Sequence, residues 1–273
     1  MVCDVEKGQM NNSRPMKPDD NPMSPEQRYL FDLNGYLHLK GVHEEKELKE
    51  AQAAADRYIT TPPEELPSGF YVDGNRYVDG FAFDKSLERL VCHPKTWPLI
   101  LEFTEDRPRL SGGTLQVSFA GTEHDAYRLH CAREDNGPEN SQFEVRNGKV
   151  FCNNFAVFHY LSDVHPGDGG LVVVPGSHKS QIDRPLHLFN EGTMNGIDEA
   201  PEGVLNITPE AGDVVIMTES LTHGALAWRP QDRYRAVLML RYSTRDRRSS
   251  LVNQELRHLL EPKTQELVSF DEK

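Results

Sequence analysis

The apolar and polar positions of this chain change rhythm at Arg109, with helical stretches before it and short alternating strands after it. Ser24-Pro25-Glu26-Gln27 predicts a helix start: an N-cap serine, proline at the first position and glutamine at the capping-box position. That helix runs to about Leu33, and Asn34-Gly35 stops it. A strand from Tyr36 to Leu39 leads into a second helix, roughly Glu44 to Ile59. The stretch from Pro62 to Phe83 reads as loops and short strands, and two short helical stretches follow, about Ser86 to Cys92 and Pro94 to Phe103. Beyond Arg109 the segments Thr114 to Phe119, Phe143 to Phe151, Asn153 to Ser162, Gly170 to Val174, Asp213 to Met217 and Tyr234 to Tyr242 read as strands. Within Phe143 to Phe151, Asn147-Gly148 predicts a hairpin with a type I′ turn, which needs two positive φ values.

Helices followed by many short strands predict a mainly β (α+β) fold, a small sandwich or barrel such as a jelly roll with helices packed outside. At 273 residues and 37% apolar content the chain can bury one sizeable core. The expected organisation is a disordered lead-in over residues 1–23 and one domain over 24–273, its β core at about 109–245. A formal charge of −13 works against nucleic-acid and anionic-membrane partners, because the long-range field repels both. The N-terminal stretch has no apolar run, so neither a signal peptide nor a membrane span is expected. Four cysteines without paired metal spacing fit reduced thiols and a cytoplasmic location.

Eleven histidines are the first place to look for a metal. His43, His124, His187 and His258 are expected to be surface or satisfied core residues. His130 and His223 differ, each lying at the end of a strand-like run beside loop residues, where a barrel mouth would be.

Several segments together resemble the phytanoyl-CoA dioxygenase family. The segment Leu161-Ser-Asp-Val-His-Pro-Gly-Asp-Gly-Gly-Leu-Val-Val-Val-Pro-Gly-Ser-His-Lys179 is similar to its central signature, and Ser24 to Ile59, Gly212-Asp213, Thr222-His223-Gly224 and Arg235 to Tyr242 extend the likeness. The resemblance implies a cupin-like double-stranded β-helix, with N-terminal and flanking helices, holding non-haem Fe(II) and 2-oxoglutarate. It also implies reaction with dioxygen at an unactivated C–H bond of a small molecule. Such enzymes ligate iron with a His-x-Asp pair and a distant histidine. Here His130 matches the first histidine and His223 the distal one. Arg235 matches the arginine that binds the far carboxylate of 2-oxoglutarate, with Arg233 as competitor because it shares strand parity. Phe158 or His159 falls where an aromatic lies beside the cofactor, and strand parity decides which points inward. His178, in the Pro-Gly-Ser-His turn, needs no metal role.

The pattern departs at Ala132, where the family has aspartate. A methyl group cannot ligate iron. The first expectation is that a halide, chloride or bromide, fills the place, as in the related iron- and 2-oxoglutarate-dependent halogenases that carry alanine or glycine there. The second is oxygenation with a substitute carboxylate, Glu134 or Asp135. On an extended strand Glu134 would stand about 13 Å from His130, so this requires the chain to double back. The third is a silent relative, or a chain in which an original aspartate was replaced. A cupin-like binding protein without iron would share the same architecture. The loops Glu134 to Asn147 and Gln181 to Glu202 are expected to shape the substrate pocket.

Overall fold

A computed structural model of the chain describes residues 23–121, 127–137, 141–182, 184, 200–245 and 252–269. The expected lead-in, apart from the buried Met23, and most of the loop from Gln181 to Glu202 lie outside the described residues, as do His124 and His187. The chain opens with α1 (Pro25–Asn34), β1 (Tyr36–Leu39) and α2 (Glu45–Thr60). Short pieces follow: β2 (Val72–Asp73), β3 (Arg76–Tyr77), α3 (Lys85–Glu88) and α4 (Trp97–Phe103). Next come β4 (Pro108–Ser118), β5 (Tyr127–His130), α5 (Ala132–Asn136), β6 (Phe143–Arg146), β7 (Lys149–Cys152), β8 (Asn154–Tyr160) and β9 (Gly170–Val173). Last are β10 (Leu205–Asn206), β11 (Val214–Thr218), β12 (His223–Leu226), β13 (Arg235–Thr244) and α6 (Pro262–Val268).

The local signals act where the sequence puts them. The Ser24 hydroxyl accepts from the Gln27 amide at 3.1 Å, and the Gln27 side chain accepts from the Ser24 amide at 3.0 Å, closing the capping box. Gly35, at φ 79°, ends α1 in the left-handed region. Asn147 and Gly148, at φ 51° and 75°, turn β6 into β7.

Two antiparallel sheets carry the fold, one of seven strands in the order β1-β11-β8-β13-β4-β3-β2 and one of four in the order β10-β9-β12-β5. Strand alternation divides the core. Phe155, Val157, Leu238, Leu240 and Tyr242 of the large sheet pack with Phe31 of α1, Tyr58 of α2 and Phe103 of α4. Their strand neighbours Tyr160, Val215, Met217 and Val237 turn the other way, toward Leu171 and Val173 of the small sheet. The result is the double-stranded β-helix expected from the sequence, with helices over one face of its larger sheet. Some expectations shift: β4 begins at Pro108 rather than Thr114, and β10 and β12 form outside the segments read as strands.

Candidate active site

A cavity of about 530 Å³ opens between the sheets. Its lining follows the period of two: Arg235, Val237, Met239 and Arg241 from β13, Phe158 and Tyr160 from β8, and Thr114 and Gln116 from β4. From the small sheet come His130 at the end of β5 and His223 at the start of β12. These two histidines stand directly opposite each other in the β12–β5 register, with ring centroids 4.2 Å apart.

Backbone carbonyls fix both rings in one tautomer. His130 Nδ1–H donates to the Arg128 carbonyl at 2.9 Å, and His223 Nδ1–H donates to the Leu221 carbonyl at 2.8 Å. Each neutral imidazole then carries its lone pair on Nε2, and a metal-binding histidine is commonly held this way, through its other nitrogen. Burial pushes the His223 ring down to about 4, with the neighbouring His130 adding to the effect and Glu219 opposing it, so His223 is neutral at neutral pH. A ligating nitrogen must be unprotonated. The donor chemistry therefore fits a divalent metal ion.

Arg235 lies in the same cavity, 6% exposed, and donates from Nη2 to the Ser118 hydroxyl at 2.9 Å. Gly170 makes room for it: at φ 83°, a Cβ on this residue would stand 2.5 Å from Arg235 Nη1. Burial raises the nearby Tyr160 phenol to about 12, with Arg235 opposing, so it stays protonated. Arg233 points elsewhere. Its guanidinium pairs with Asp168, and its side chain is 34% exposed.

Phe158 faces the cavity, whereas His159 does not. This corrects the expectation for His159, for one residue along a strand reverses the face. His159 instead joins a buried chain on the helix side, where its Nδ1 meets His43 Nε2 at 3.0 Å. His43 Nδ1 and His93 Nε2 both approach Glu47 Oε2 at 3.1 Å. Among the described residues this trio, His43, Glu47 and His93, is the group of three potential ligands that lies close enough to hold a metal ion. Hydrogen bonding accounts for it without one. The Lys95 amide donates to His93 Nδ1 at 3.3 Å, which leaves the His93 proton on Nε2 for Glu47. His43 then gives its Nδ1 proton to Glu47 and accepts from His159. His178 is likewise structural, buried and bonded to the Asp32 carbonyl at 3.1 Å, while His258 is exposed.

Ala132 stands differently from the expectation of a regular strand. β5 ends at His130, Cys131 is extended, and Ala132 begins α5. The chain does turn back, yet Glu134 and Asp135 do not serve the histidines. Arg184 lies 3.3 Å from each, Arg133 lies 3.7 Å from Glu134, and the Cys131 amide donates to Asp135 Oδ2 at 2.8 Å. A carboxylate not weighed from the sequence approaches instead. Glu219, between β11 and β12, is 5% exposed, with Oε2 4.0 Å from His223 Nε2 and Oε1 3.0 Å from Arg241 Nη1. Its backbone carbonyl accepts from the Ala132 amide at 2.7 Å.

Residues 142–236 match the phytanoyl-CoA dioxygenase family model. His223 and Arg235 fall inside that stretch; His130 lies before it. HygX from Streptomyces hygroscopicus, solved with nickel and 2-oxoglutarate, superposes with a TM-score of 0.65 at 23% identity, over 81% of this chain and 87% of its own. EctD from S. alaskensis, solved with 2-oxoglutarate and 5-hydroxyectoine, gives 0.63 at 19% identity, over 84% and 79%. SnoK, a non-haem α-ketoglutarate-dependent carbocyclase from nogalamycin biosynthesis, gives 0.60 at 19% identity, over 86% and 90%. Likeness at these identities establishes the shared fold. No curated protein sequence matches the chain. Among the described residues no helix is long and apolar enough to cross a membrane.

Proposed function

We propose that the chain is a non-haem Fe(II)/2-oxoglutarate-dependent oxygenase acting on a small molecule. The observation that carries this reading is the opposed pair His130 and His223, both presenting Nε2, in one cavity with the buried guanidinium of Arg235. His130 and His223 would hold the iron, and Arg235 would bind the far carboxylate of 2-oxoglutarate through its planar fork. Phe158 would pack beside the cofactor. When bound, the iron supplies oxidative chemistry in which a substrate C–H, dioxygen and 2-oxoglutarate give an alcohol, succinate and carbon dioxide. The Tyr160 hydroxyl, protonated at neutral pH, can donate a hydrogen bond to a bound carboxylate. A cavity of about 530 Å³ suits a small molecule, and HygX and EctD have been solved with hygromycin B and with 5-hydroxyectoine, respectively.

Ala132 keeps halogenation as a second reading, since its methyl group offers no ligand. Anaerobic addition of Fe(II) and 2-oxoglutarate to the purified chain tests the common core of both readings. A visible charge-transfer band, abolished by His223→Ala, is the expected result. No band in the unmodified protein, or an unchanged band in the variant, removes the assignment. Product analysis with and without bromide then separates hydroxylation from halogenation.

A further inference from the structure

We infer that the small molecule taken by this cavity carries an ammonium group, and that Asp79 binds it. The inference rests on the reading of the cavity as an oxygenase site. Asp79 lines the cavity and is 2% exposed. Its Oδ2 accepts from the Asn253 amide at 3.0 Å, and Oδ1 has no hydrogen-bond partner among the described residues. The other charged side chains of the lining are matched. Arg76 pairs with Asp73, Arg241 donates to Glu219 at 3.0 Å, and Arg235 is the proposed clamp for 2-oxoglutarate. One buried carboxylate is left without a cation, and a buried ion is costly unless an opposite charge meets it.

The fold does not need that charge. The Asn253 amide requires only an acceptor oxygen, and an asparagine carbonyl would serve. The backbone of Asp79, at φ 52°, lies in the left-handed region, which asparagine also tolerates. Burial raises the Asp79 carboxyl to about 6, with the Asn253 bond opposing, so it is charged at neutral pH. Its position suits the second molecule rather than the keto acid. The turn after β3 packs on β4, where a Cβ on Gly80 would stand 2.7 Å from Leu115 Cβ and a Cβ on Gly113 would stand 2.4 Å from Phe81 Cδ1. Leu115 lies about 10 Å along β4 from Ser118, the partner of Arg235, and β3 is on the other side of β4 from β13. A keto acid held between Arg235 and the two histidines would leave this wall open. An ammonium group there would meet Oδ1 in a weakly screened space, where a charge-assisted hydrogen bond is strong. A hydroxyl would leave the charge unmatched, and a second carboxylate would be repelled.

Three probes of matched shape test the preference: cyclohexylmethylamine, which is protonated at neutral pH, cyclohexylmethanol and cyclohexanecarboxylate. Each is titrated by ligand-observed NMR into the full chain loaded with nickel(II) and 2-oxoglutarate. The amine should bind at least about tenfold more tightly than either of the others, and Asp79→Asn should bring it within about threefold of the alcohol. Urea unfolding of Asp79→Asn at neutral pH should show no loss of stability, because the acceptor for Asn253 is kept and a buried charge is removed. A marked loss of stability would assign the charge to the fold and overturn the inference. So would a preference that survives in Asp79→Asn, or no preference in an unmodified protein that takes up nickel and 2-oxoglutarate, and the oxygenase reading would then stand. Failure of the unmodified protein to take up nickel and 2-oxoglutarate overturns both. A crystal of the loaded, unmodified protein soaked with the amine decides independently of any variant. Its nitrogen within about 3.2 Å of an Asp79 oxygen supports the assignment, and a nitrogen held elsewhere in the cavity refutes it.

Discussion

Replacing Arg235 by alanine separates it from Arg233 as the proposed carboxylate clamp. Arg235 is 6% exposed, lines the cavity and donates to Ser118, so its charge sits in a weakly screened space. Removing one partner of a buried, hydrogen-bonded charge pair costs about 2–5 kcal/mol. At 1.4 kcal/mol per tenfold, Arg235→Ala should weaken 2-oxoglutarate binding by about 30-fold to several thousand-fold. Arg233 pairs with Asp168 near the surface, with 34% of its side chain exposed. A pair of that kind contributes about 0–1 kcal/mol, so Arg233→Ala should change 2-oxoglutarate affinity less than about fivefold. Titration of 2-oxoglutarate into the anaerobic Fe(II)-loaded protein, followed calorimetrically, measures both variants on one scale. Arg235→Lys adds a control, because a point charge replaces the fork and should recover only part of the loss. If Arg233→Ala is the more damaging variant, or if Arg235→Ala leaves the affinity within fivefold, the clamp is not Arg235.

Two further outcomes follow from neighbouring geometry. Gly170→Ala places a Cβ 2.5 Å from Arg235 Nη1 at a φ of 83°, so calorimetry should show 2-oxoglutarate binding weakened at least tenfold, together with a stability loss of about 1–2 kcal/mol in urea unfolding. His178, pushed down to about 4 by burial with Lys179 adding, resists protonation in the folded chain, whereas the unfolded chain takes up that proton below about 6.5. Stability should therefore fall as pH drops from about 6.5 toward 4, and urea titrations of His178→Gln should show a shallower slope across that window; an equal slope would assign the loss to other groups.

Much of the fold was legible because its signals are local. The Ser24 capping box, the Asn147-Gly148 turn and the alternation along Arg235 to Tyr242 each act within a few residues, and each appears as read. β12 was not legible as a strand, since His-Gly-Ala-Leu has no β-branched residue; pairing with β9 and β5 makes it a strand. At the site, His130, His223 and Arg235 were found through motif likeness, and the structure brings all three to one cavity. The expectation that Ala132 continues the strand of His130 failed, because β5 ends at His130 and the chain enters α5 at Ala132.

The position of β5 in its sheet has a kinetic consequence. β5 is the outermost strand of the four-stranded sheet and, among the described residues, pairs only with β12, through a ladder whose register slips between His223 and Ala225. Lateral opening of such a strand breaks few bonds and leaves β9, β11 and β13 in place. His130 rides on that strand while His223 belongs to a strand paired on both sides. A ligand held by both histidines would clasp across the last ladder of the sheet, and fraying of that edge would offer a route of release that leaves the rest of the barrel folded.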